Sequence, residues 1–84
     1  MILFQRIILQ RLNQATAEDL LKYSKQYGIS LTKPQAIEVA NLLYGKNVNI
    51  FNEQERTRLL KQVESITSKE TAQTVHELFK QFSS

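Results

Sequence analysis

The sequence predicts an all-α fold, a compact five-helix bundle in a single domain spanning residues 1–84, and three observations carry that prediction. Apolar residues recur at helical spacing in five separate segments. Boxes of the form Thr or Asn, two residues, then Asp, Gln or Glu stand at the start of every segment but the first. The only two glycines, Gly28 and Gly45, directly follow the second and third segments, where a left-handed residue commonly ends a helix. These signals are independent and they agree. Alternating apolar residues at 29–31 and 48–51 are too short to form a sheet alone, and they allow at most a two-stranded clip between the two loops.

The first helix runs from Ile2 to Leu12, with apolar residues at 3, 4, 7, 8 and 12 on one face and Ile2 and Leu9 extending that character to another side. Coverage this wide implies that the helix passes through the centre of the bundle or, in a sharper reading, that part of it meets a second chain. The second helix starts at Thr16, with Asp19 three residues on as its box partner and Glu18 and Asp19 at the positive end of the dipole. Leu20, Leu21, Tyr23, Ser24 and Tyr27 form its stripe, and Gly28 stops it. The third starts at Thr32 with Gln35, and Pro34 suits a first turn because the amide it lacks has no intrahelical partner there. Ala36, Ile37, Val39, Ala40, Leu43 and Tyr44 are expected to face inward, with Gly45 as the stop. The fourth opens on Asn52 with Glu55 and runs through Leu59, Leu60, Val63 and Ile66. Thr67 with Glu70 is read as the cap of the fifth, where Ala72, Val75, Phe79 and Phe82 keep the helical spacing.

A chain of 84 residues buries only about 60% of the surface it exposes when unfolded, so an enclosed catalytic cavity would be costly to build. The 42% hydrophobic and 23% charged content is ordinary for a globular domain and disfavours disorder. Without cysteine there is neither a disulfide framework nor a thiolate metal site. No apolar run approaches the length of a membrane span, and Gln10, Arg11 and Asn13 interrupt anything resembling a signal peptide, so a cytoplasmic location is expected.

Calcium is the first chemistry to test, because paired helix-loop-helix units resemble an EF-hand layout. Starting such a loop at Asn47 puts Asn47, Asn49, Phe51 and Arg58 at the ligand positions, with no carboxylate and a cation where a bidentate glutamate belongs. The lone His76 has no nucleophile arranged with it. Glu18, Asp19, Glu55 and Glu70 are all explained as first-turn residues, which leaves no acidic pair for acid and base work. There is no glycine-rich phosphate loop. No catalytic residue, metal or cofactor is expected, and the chain is read as a non-enzyme.

Tyr23, Tyr27 and Tyr44 could stack on bases, but at helical spacing such rings more often cover a core. The net charge of +3 is a mild basic excess, and Lys22, Lys25, Lys33 and Lys46 are scattered near the loops. A helix-turn-helix reading of Leu20 to Leu43 makes nucleic acid the alternative partner. Against it, the connection from Gly28 to Thr32 is long, and Gln35, Glu38 and Asn41 offer little positive charge to phosphate.

With "AEDLLKYSKQYGISLTKPQAIEVANLLYGKNVNIFNEQERTRLLKQVESIT" and the final "TAQTVHELFKQF" placed on helices, nearly the whole chain is similar to the YqfT-like group of small proteins from Bacillus-type Firmicutes, whose function is unknown. That resemblance implies a bacterial cytoplasmic protein and assigns no functional residue. The residues themselves favour a protein-protein interaction module that meets another protein or a second copy of itself. Ile2, Phe4 and Leu9 are the candidates for self-association, and Ser30, Lys33 and Gln35 for a loop surface.

Overall fold

In the computed structural model, which describes residues 3–82, the capping signals fall where the backbone turns into helix. The order is α1 (Leu3–Asn13), α2 (Ala17–Tyr27), α3 (Lys33–Leu43), α4 (Glu53–Ile66) and α5 (Lys69–Phe82), with no strand among the described residues. At α2 the Asp19 amide donates to Thr16 Oγ1 and the Thr16 amide donates back to the Asp19 carboxylate, so both halves of the box form. Thr32 and Gln35 do the same for α3, at 3.3 and 2.9 Å. Only half a box forms at α4. Asn52 Oδ1 accepts from the Glu55 amide, while Glu55 Oε1 turns to the Asn49 amide instead.

The fifth helix starts one residue later than the sequence reading has it. Ser68 is the cap: its Oγ accepts from the Thr71 amide at 3.0 Å. Thr67 belongs to the end of α4, where its hydroxyl donates to the Val63 carbonyl at 2.6 Å. Ser68→Ala is accordingly expected to cost about 1 kcal/mol in urea unfolding, the usual worth of a cap. Thr67→Ala should cost less, because its backbone amide keeps the bond to Val63 O.

The Asp19 carboxyl is held below its ordinary value, first by the Thr16 amide, then by the Thr16 hydroxyl and the nearby charge of Lys22. A depressed folded-state pKa contributes stability above the unfolded value of about 3.9, and that contribution is lost as pH falls through the folded value. Asp19→Asn should therefore flatten the acid limb of the stability curve below about pH 4, as measured by urea midpoints against pH.

The two Tyr-Gly pairs that look alike in sequence do different work. Gly28, at φ 69°, ends α2, and the Ile29 amide donates to the Ser24 carbonyl in a Schellman-type closure. Tyr44 (φ −60°, ψ 117°) and Gly45 (φ 70°) are instead the central residues of a type II turn, closed by the Lys46 amide on the Leu43 carbonyl.

The core joins Leu20, Ala36, Val39, Ala40, Leu43, Leu59, Val63, Ala72 and Phe79 from α2 to α5 with Ala15 and Ile50 from the connections. Along the chain α2 packs on α3, α3 on α4 and α4 on α5. Two expectations are corrected by this packing. Ile37 and Tyr44 point outward rather than inward, and α1 does not run through the centre, since none of its residues is buried. It is held from one side by Ile8, Leu9 and Leu12, which lean on the core. No helix among the described residues is long and apolar enough to cross a membrane.

The clip between the loops does not form, because its backbone groups are engaged elsewhere. The Ile29 amide is in the α2 closure, and the Ser30 carbonyl accepts from the Thr71 hydroxyl at 3.2 Å. Val48 is paired in both directions with the side-chain amide of Asn13: its N–H donates to Oδ1 at 2.8 Å and its carbonyl accepts from Nδ2 at 2.9 Å. The same Nδ2 reaches the Leu9 carbonyl, and the Asn13 carbonyl accepts from the Gly45 amide. One asparagine at the end of α1 thus does what a short β-bridge would have done.

Candidate functional site: an apolar groove along α1

An apolar stripe that the core does not use must face something else, and α1 carries such a stripe. Its core-facing arc contains Leu9, Leu12 and Asn13, while Leu3, Phe4 and Ile7 turn away and remain 71%, 51% and 44% exposed. Alongside this arc run the C-terminal turns of α2 and α5. Tyr23, Gln26 and Tyr27 from α2 and Leu78, Phe79 and Phe82 from α5 join Leu3, Phe4, Ile7, Ile8, Arg11 and Leu12 around one open groove of about 590 Å³. Tyr27 and Phe82 meet edge to face, ring centroids 6.3 Å apart at 81°, which ties the ends of α2 and α5 together at the groove floor or wall. Polar character in the lining is limited to Arg11, Gln26 and the tyrosine hydroxyls, and no carboxylate is present.

The residues singled out in the sequence separate in space. Phe4 lies in the groove wall. Leu9 is half-buried on the opposite arc, beside Asn13 and Val48, and shares no surface with Phe4. Ile2 lies outside the described residues. Ser30 is exposed, but its carbonyl is the acceptor for Thr71, so its backbone contribution is architectural. Gln35 is used in the α3 box, while Lys33 is exposed at the start of α3. Of the tyrosines, Tyr23 leans on the core, and Tyr23 and Tyr27 both line the groove, whereas Tyr44 stands apart from it and is 60% exposed.

Sequence reading missed Leu3, Ile7 and Leu78 as members of one surface. The signal available was the excess width of the apolar face of α1, which says that a second contact exists without saying which other helices supply it.

The chemistry elsewhere is sparse. His76 lines an open cleft between α4 and α5 with Glu53, Leu60, Lys61, Glu64 and Lys69. Among the described residues no three His, Asp or Glu side chains come together as a metal site, and no buried side-chain polar atom lacks a hydrogen-bond partner.

Comparison with known proteins places the whole chain in one group. The profile described as "Protein of unknown function (DUF2624)" matches residues 1–83. The chain is 89% identical over 84 residues, covering 100% of both sequences, to a Bacillus subtilis (strain 168) protein named "Uncharacterized protein YqfT". No solved structure matches.

Proposed function

This chain belongs to the DUF2624 family of proteins of unknown function, and from that premise we propose that it is a non-catalytic, cytoplasmic interaction module that docks another protein through the α1 groove. The observation that carries the reading is the exposure of Leu3, Phe4 and Ile7 beside a lining of further apolar side chains. Large apolar groups gathered in one concave surface are the usual mark of a binding site, whereas scattered ones are not.

The non-catalytic part rests on how the reactive groups are used. The Thr16 and Thr32 hydroxyls and the Asp19 and Glu55 carboxylates are all engaged in starting helices or fixing a loop. The groove itself presents one guanidinium, one amide and two phenols, with no base positioned to take a proton.

The test uses the Phe4→Glu/Ile7→Glu double variant, which places charge in the groove at exposed positions. Proteins retained by the wild-type chain are purified and measured again by titration against both forms. The reading expects rebinding to the wild type and at least tenfold weaker binding to the variant, since apolar anchors dominate such contacts. Equal binding to both, or no rebinding, would overturn it. Sedimentation of the chain alone separates a second copy from a different partner.

A further inference from the structure

We infer that the occupant of the α1 groove is an amphipathic helix of a partner protein whose polar flanks are acidic. The inference rests on the docking reading above and adds the chemistry of what docks.

Shape selects the helix. The groove is an open trough of about 590 Å³ walled by three helices, which suits a ridge of apolar side chains at i, i+3, i+4 and i+7. A partner that adds as a β-strand would need a sheet edge to pair with, and no strand exists among the described residues. A flat lipid surface would reach the projecting Leu3 and Phe4 but not the walls behind them, including Tyr23 and Phe79.

Charge selects the flanks. Helix α1 carries no carboxylate, and of its two exposed arginines Arg11 lies on the groove side and makes no ion pair among the described residues, while Arg6 lies outside the lining. Arg11 sits in the lining itself. On the α5 side, Glu77 is already engaged, accepting from Gln73 at 2.9 Å and lying 3.8 Å from Lys80. The groove therefore offers unmatched positive charge to whatever enters it. This counts against a second copy as well: pairing two groove faces would place the Arg11 of each copy within one apolar interface, and like charges at an interface disfavour the complex.

Two synthetic amphipathic peptides test the point, one with leucines on the apolar face and glutamates elsewhere, the other with lysines replacing the glutamates. Binding is read by fluorescence anisotropy. The glutamate peptide is expected to bind more tightly, the preference to shrink as salt is raised, and Arg11→Glu to weaken binding by about two- to fivefold, more than Arg6→Glu outside the lining. The salt series needs no variant and so stands even if a substitution disturbs the fold. Equal or tighter binding of the lysine peptide overturns the inference and leaves the docking reading standing. So does a self-associated species in sedimentation that Phe4→Glu abolishes, or binding to phosphatidylglycerol vesicles with neither peptide bound. If no peptide, vesicle or second copy binds and no cellular protein rebinds, both fail.

Discussion

Ile50→Ala is expected to lower the free energy of unfolding by about 3 kcal/mol, within the usual range for removing a buried isoleucine side chain beyond Cβ. Ile50 is 1% exposed and belongs to no helix. It is fixed from outside by a set of polar contacts: the Phe51 amide donates to Asn49 Oδ1, the Asn52 amide to the Asn49 carbonyl, and Arg56 to the Ile50 carbonyl at 3.4 Å. A loop held this way cannot collapse readily into the space the side chain leaves, so most of the cavity cost should persist. Ile50→Val, which removes one methyl, should cost about 1 kcal/mol. Urea titrations with unchanged slope would establish both values, and a loss below about 1 kcal/mol for the alanine variant would mean the loop is not an integral part of the core.

The second large effect concerns Asn13. Its truncation to alanine removes the bonds to the Leu9 and Val48 carbonyls and the one from the Val48 amide, and leaves a half-buried peptide group without its partners. A loss of about 2–3 kcal/mol follows from the cost of stranding such groups, less whatever water recovers. Asn13→Asp keeps an acceptor for the Val48 amide but no donor for either carbonyl, so it should not rescue the variant. Native-state hydrogen exchange at Val48 gives a local check, since that amide should lose protection in Asn13→Ala and keep more of it in Asn13→Asp, whose carboxylate still accepts its bond.

Both effects lie in the connection from α3 to α4, which is where the sequence was least legible. Helix starts are local chemistry, and the Thr16, Thr32 and Asn52 signals can be read from four residues each. The Thr67 misreading has the same origin: in "TSKET" the pairs Thr67/Glu70 and Ser68/Thr71 both suit a helix start, and only the return of the Thr67 hydroxyl to the Val63 carbonyl decides between them. Asn13 has no such signature, because its partner is 35 residues away. Alternation at 48–51 looks like a strand for a sound reason, since Ile50 goes inward, yet the backbone bonds that a strand would use go to side chains.

Helix α1 shows a different limit. Its periodicity correctly marks an apolar surface wider than one contact requires, but periodicity cannot distinguish a helix surrounded by its own chain from one packed on a single side. Phe4 was visible as a candidate; its separation from Leu9 and its company with Tyr27 and Phe82 depend on how the two ends of the chain come together. That arrangement leaves Leu3, Phe4 and Ile7 beyond what folding needs, which is the central claim about this protein.

The most direct measurement is the urea unfolding of Phe4→Glu/Ile7→Glu against wild type. If the outer face of α1 is a docking surface, the double variant keeps its helical circular dichroism and loses no more than about 1 kcal/mol, as expected for substitutions away from the core. A loss above about 3 kcal/mol, the scale of core disruption, would show that this face holds the fold together and would contradict the account.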